Sequence, residues 1–132
     1  MRIAFRATVI LLILIGLATI CSSAKESIFR YQYRVLRSGH VMATAYNSIP
    51  NQTDDTPWTT ASGTRCREGV IASNFLPIGT KDMIDGFGNR VFIVEDRMNK
   101  RYTQRIDIWF REYHEAMDFG IRKIKYHVVA KA

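Results

Sequence analysis

The sequence predicts a small, mainly all-β domain closed as a barrel or packed as a sandwich. Three observations carry this expectation. Short apolar runs recur at roughly 8–12 residue spacing between turn residues, which is the pattern of sandwiches and small barrels. Only one stretch after the N-terminal segment, Glu112 to Phe119, reads as helix. A chain of 132 residues with 47% hydrophobic and 23% charged content holds one compact domain and a core to match. The same figures exclude a multidomain enzyme, intrinsic disorder and a collagen-like or other low-complexity chain.

In chain order, Arg2 and Arg6 precede an uncharged run from Ala7 to Cys21, followed by the small residues Ser22, Ser23 and Ala24 and then Lys25-Glu26. This is the layout of a secretory signal, and the run falls short of the ~20 residues a helix needs to span a bilayer. We expect cleavage after Ala24, so residues 1–24 form a signal peptide. An uncleaved segment would be the chain's one attachment to a membrane. Residues 25–39 read as an arm or linker, and residues 40–130 as the folded domain.

Within that domain Val41 to Tyr46 is predicted as a strand. The polar stretch Asn47 to Thr60, with Pro50, Pro57 and Asp54-Asp55, reads as a long loop, and loops of that length in small domains tend to carry function. Strands are expected at Gly69 to Ser73, Thr80 to Ile84 and Arg90 to Asp96. The apolar Val91-Phe92-Ile93-Val94 suggests a strand covered on both faces. Arg105 to Phe110 follows, then the helix at Glu112 to Phe119 stopped by Gly120. Finally Ile121 to Val129 alternates, with Ile124, Tyr126 and Val128 on one face. The predicted core comprises Val91, Phe92, Ile93, Val94, Ile106, Ile108, Ile71 and Val128.

Lys plus Arg outnumber Asp plus Glu by 19 to 12, a formal +7, and loss of residues 1–24 leaves 17 against 12. Such a surplus favours polyanionic surroundings, whether nucleic acid, anionic lipid or acidic wall polymer. Cys21 and Cys66 are the two cysteines, and cleavage would remove the first, so no disulfide framework is expected. His40, His114 and His127 lack metal-ligand spacing, so no metal or other cofactor is expected.

Asp107 is the most anomalous residue. It interrupts an apolar strand, where an unpartnered carboxylate is costly. The two-residue period puts Ile106, Ile108 and Phe110 on one face and Arg105, Asp107 and Trp109 on the other. Asp96 ends the preceding strand, and the connection Arg97 to Gln104 is expected to bring two antiparallel strand ends together. Two nearby carboxylates in a partly dry cleft would raise one proton affinity, which suits a general acid. A structural carboxylate tied by Arg105 is the competing reading.

The motifs around these residues, in order, are Thr44-Ala45-Tyr46, Thr60-Ala61-Ser62-Gly63, Gly69-Val70-Ile71-Ala72, Leu76-Pro77-Ile78-Gly79-Thr80, Gly86-Phe87-Gly88, Val94-Glu95-Asp96, Arg105-Ile106-Asp107-Ile108 and Glu115-Ala116-Met117-Asp118-Phe119-Gly120. From about Val41 to Val129 the chain resembles the bacterial three-aspartate (3D) domain. The resemblance implies a six-stranded double-psi β-barrel like the catalytic barrel of membrane-bound lytic transglycosylase A. It also implies cleavage of the MurNAc–GlcNAc β-1,4 bond of peptidoglycan during cell-wall turnover. The second family aspartate falls on Asp96 and the third, the acid/base, on Asp107, while the first meets Asn74. The family's Gly-rich run after the second aspartate is replaced by Arg97-Met98-Asn99-Lys100-Arg101-Tyr102.

On this reading the catalytic residues are Asp107 and Asp96, and Thr44, Tyr46, Thr60, Ser62, Asn74 and Trp109 are candidate substrate contacts. The expected partner is the peptidoglycan glycan strand in the periplasm or cell wall. The alternative is a non-catalytic glycan-binding envelope protein that stacks sugars on Trp58 and Trp109. Nucleic-acid binding is not expected, because the positive charge is spread along the chain and no recognised motif occurs.

Overall fold

The computed structural model describes residues 2–48 and 57–132. The chain forms α1 (Arg2–Gln32), β1 (Tyr33–Tyr46), β2 (Val70–Ser73), β3 (Lys81–Ile84), β4 (Val91–Asp96), β5 (Arg105–Trp109), α2 (Tyr113–Phe119) and β6 (Arg122–Lys131). It divides into two compact units. The first holds α1 with the residues through Arg34 and Lys131–Ala132, and the second is Val35–Ala130.

In the first unit α1 exposes Ile10, Leu11, Leu12, Ile13 and Leu14 alike, so its apolar surface is not confined to one stripe. Among the described residues no helix is long and apolar enough to cross a membrane. The stretch 25–39, read from sequence as an arm, is helical through Gln32 and β-strand from Tyr33. β1 therefore starts eight residues earlier than the apolar pattern of Val41 to Tyr46 suggested. Of the long loop expected over Asn47 to Thr60, residues 49–56, including Pro50 and Asp54-Asp55, lie outside the described residues.

In the second unit the six strands form one mixed sheet arranged in a ring, in the order β1-β5-β2-β4-β3-β6. β1 runs parallel to β5 and β2 parallel to β4, while β2 is antiparallel to β5 and β3 is antiparallel to both β4 and β6. The mainly β architecture agrees with the sequence expectation. β4 and β5 differ from it: they are not neighbours, because β2 lies between them.

Alternation then sorts each strand into an inward and an outward set. Ala43, Ile71, Phe92, Val94, Ile106 and Ile108 point inward and are essentially fully buried. Each of these side chains larger than alanine adds roughly 1.5–3 kcal/mol by leaving water. Val91 and Ile93 are only half-buried, so β4 is not covered equally on both faces as its unbroken apolar run suggested. A ring has one interior, and the other pleat face meets loops and solvent. In β6 Ile124 and Tyr126 are buried as expected, but the alternation slips after Tyr126, leaving Val128 partly buried against the core and Val129 buried. Gly39 in β1 is required by this packing, since a Cβ there would stand 2.8 Å from the Tyr126 ring.

Candidate active site

The site is built on the outward face of the ring. Because Ile106 and Ile108 point inward, Asp107 and Trp109 point out. The same logic turns Thr44 and Tyr46 of β1 outward, and Val70 and Ala72 of β2. Four register partners then form a row across four strands: Asp96 faces Ala72, Ala72 faces Asp107, and Asp107 faces Thr44. A register shift between Ile71 and Ala72 is what brings Asp96 into line. With strands ~4.8 Å apart, the two aspartate backbones stand about 10 Å apart, separated by the smallest side chain that is not glycine. The acidic pair therefore meets across Ala72, and not at the closed end of a β4–β5 hairpin.

Thr44 Oγ1 donates to Asp107 Oδ1 at 2.8 Å. Tyr46 Oη donates to Asp96 Oδ2 at 2.9 Å, and the backbone N–H groups of Ala61 and Arg97 donate to Asp96 Oδ1 at 2.9 and 2.8 Å. Neither aspartate takes part in an ion pair among the described residues. Burial pushes the Asp107 carboxyl up to about 6; the Thr44 hydrogen bond and Arg105 oppose that rise, and the charge of Asp96 adds to it. Burial, then the charge and hydrogen bond of Asp96, hold the Tyr46 proton well above the ordinary tyrosine range. Tyr46 is therefore a fixed donor.

A small second core covers part of this face. Cys66, Val70 and Trp109 are buried together with Tyr46 packed against them. Trp109 is 3% exposed and its Nε1 donates to Ser48 Oγ at 2.9 Å, so it supports Tyr46 from within and offers no open ring. Trp58 packs edge-on against Trp109 and is 49% exposed, with the Arg65 guanidinium 5.8 Å from its ring centre.

Thr60 and Ser62 shape the segment that carries the Ala61 N–H. Thr60 is buried, and its Oγ1 lies 2.9 Å from Ser62 Oγ and 2.8 Å from Thr64 Oγ1. This turn is fastened to β4 by residues that the sequence reading did not single out. Arg67 meets both oxygens of Glu95 at 2.6 and 2.7 Å, and Thr64 Oγ1 donates to Glu95 Oε2 at 2.5 Å. Hydrogen bonding by Arg67 holds Glu95 below the usual carboxylate range. The sequence signal is the acidic doublet Glu95-Asp96 at a strand end.

Asn74 is engaged with the backbone of the segment that follows β4. Its Nδ2 donates to the carbonyls of Met98, Asn99 and Tyr102 at 3.1, 3.0 and 2.9 Å, and its Oδ1 accepts from Met98 N at 3.1 Å. It pins the β4–β5 connection. A cavity of about 500 Å³ lies between the β3–β4 turn and α2, lined by Phe87, Phe110, Phe119, Glu68, Arg90 and Trp109 among others; neither Asp96 nor Asp107 lines it. Among the described residues no group of His, Cys, Asp and Glu could hold a metal ion. No protein-family model and no curated protein matches the chain.

Proposed function

We propose that the chain is an exported peptidoglycan-cleaving enzyme of lytic transglycosylase type, and that its six-stranded ring is a double-psi β-barrel. The observation that carries the reading is Asp107 itself: a carboxyl with a proton affinity raised to about 6, on an outward face, held by a neutral hydroxyl and, among the described residues, in no ion pair with an arginine. An ion-paired strut would instead have a lowered proton affinity and an arginine at ion-pair distance. The two parallel pairs, β1 with β5 and β2 with β4, support the barrel assignment. The apolar residues exposed from Val9 to Ile20 of α1, with charged residues only before and after that stretch, support a signal segment, with Lys25 as the mature N-terminus.

Protonated Asp107 donates to the glycosidic oxygen. As carboxylate it then takes the proton of the MurNAc 6-hydroxyl while that oxygen attacks C1. The glycosidic bond breaks, a 1,6-anhydro bond forms, the proton of Asp107 is restored, and no water is consumed. One acid/base suffices because the nucleophile belongs to the substrate, unlike the paired carboxylates of most glycosidases. Thr44 orients the carboxyl, and Asp96, fixed by three donors, keeps negative charge close enough to favour its protonated form.

The test is incubation of the chain with purified peptidoglycan and mass spectrometry for anhydro-muropeptides. Their appearance, and their loss in Asp107→Asn, is the expected result. Binding without any release would replace this reading with a glycan-binding protein, for which exposed Trp58 provides a stacking surface.

A further inference from the structure

A general acid that must keep its proton is poorly served by neighbouring cations, yet the connection between the two aspartates carries Arg97, Lys100 and Arg101, and β5 opens with Arg105. Arg105 stands on the same outward face as Asp107, two residues away, and its charge works against the raised proton affinity. A cation there has a use if an anion accompanies it.

The cations fall into two groups. Arg97 is consumed by structure, since its Nη1 donates to the carbonyls of Ser73 and Leu76. Lys100, Arg101 and Arg105 enter no ion pair among the described residues. The guanidinium carbons of Arg101 and Arg105 each lie 4.8 Å from the centre of the Tyr102 ring, and Arg101 Nη2 donates to Tyr102 Oη at 2.8 Å. Stacking fixes a guanidinium by its face and leaves N–H groups at its edge for an acceptor. The loop is held in turn by the four hydrogen bonds of Asn74, two residues beyond Ala72. A carboxylate arriving here would meet donors already placed, which lowers the ordering cost of binding.

We propose that the 97–105 loop is a carboxylate-binding wall of the candidate active site, where Arg101 and Arg105 receive a free carboxylate of the peptide borne by the glycan strand. The assignment rests on the peptidoglycan reading above and deepens it by naming the part of the substrate that is recognised. The amide of Asn74 is the group that pins this cationic loop. A bound carboxylate would screen Arg105 from Asp107, so substrates carrying one would meet a better acid.

Cosedimentation of the full chain with purified sacculi tests this, using untreated sacculi, sacculi whose carboxylates have been amidated, and sacculi stripped of phosphate polymers with hydrofluoric acid. Amidation should weaken binding about tenfold and phosphate removal should not. Arg101→Ala should lose about tenfold on untreated sacculi and nothing on amidated ones. Lys123→Ala, which removes the same charge from the exposed start of β6, should change little on either. Equal losses in the two variants, or wild-type binding indifferent to amidation, would overturn the wall. A loss on phosphate removal in place of amidation would overturn the carboxylate assignment. Anhydro-muropeptide release, read in the same samples, reports separately on turnover: Arg101-dependent binding without release keeps the wall and removes the enzyme.

Discussion

Thr44 and Asp107 are register partners across the parallel β1–β5 pair, and the Thr44 hydroxyl donates to the Asp107 carboxyl at 2.8 Å. Sixty-three residues of sequence separate them, so the contact exists only because the ring brings β1 beside β5. It makes a threonine the main counterweight to burial in setting the proton affinity of Asp107.

Replacing Asp107 by Asn keeps size and hydrogen bonding and removes the transferable proton. Release of anhydro-muropeptides should fall ~10²–10⁴-fold, with little change in melting temperature. Unfolding of Asp107→Asn, with Asp96→Asn still folded, would identify Asp107 as a strut. Wild-type release would remove it from the mechanism.

The Thr44 hydrogen bond favours the charged form of Asp107. Thr44→Val deletes it at nearly constant volume, so the Asp107 proton should be held more firmly still. A general acid fails as pH rises through its own titration, and the alkaline limb of the activity profile should therefore move to higher pH in Thr44→Val. Thr44→Ser should restore it. An unmoved limb in Thr44→Val would detach that limb from Asp107.

Asn74→Asp should destabilise the chain. A carboxylate in place of the amide would face the carbonyls of Met98, Asn99 and Tyr102 with no proton to offer. The cost should be about 3 kcal/mol in urea denaturation at pH 7, and smaller at pH 3, where the acid can donate once. A neutral or stabilising effect at pH 7 would contradict the loop-pinning role.

Asp82 lies fully buried in β3, its Oδ1 accepting from His127 N at 2.9 Å and its Oδ2 without a hydrogen-bond partner among the described residues. Burial raises it from 3.8 to about 6. The unfolded chain therefore releases this proton at lower pH than the folded one. Stability associated with Asp82 is present in full below about pH 4 and falls as pH rises to about 6, by roughly 3 kcal/mol. Asp107 acts in the same direction. Asp82→Asn should gain on the wild type by up to that amount between pH 4 and pH 7, measured by denaturant titration at both. Parallel pH dependence in the two proteins would show that Asp82 is not protonated in the fold.

The sequence by itself determined the mainly β architecture, the position of α2 and its stop at Gly120, the shared face of Ile106 and Ile108, and the membership of Ile71, Phe92 and Val94 in the core. These follow from periodicity and turn chemistry, which are local. It also singled out Asp96 and Asp107, because a carboxylate within or ending an apolar strand is costly wherever the strand goes. The tertiary structure decided what depends on strand order. β2 lies between β4 and β5, so the aspartates meet across Ala72; no local pattern encodes which strands become neighbours in a ring. Closure also gave β4 one buried face and one half-covered, although its run is apolar throughout. The burial of Asp82 and the clasp of Arg67 on Glu95 went unread for the same reason: their partners are distant in sequence. Asn74, read as a substrate contact, spends its amide on the loop beside it, because a side chain's hydrogen bonds go to whichever backbone groups the fold brings within about 3 Å.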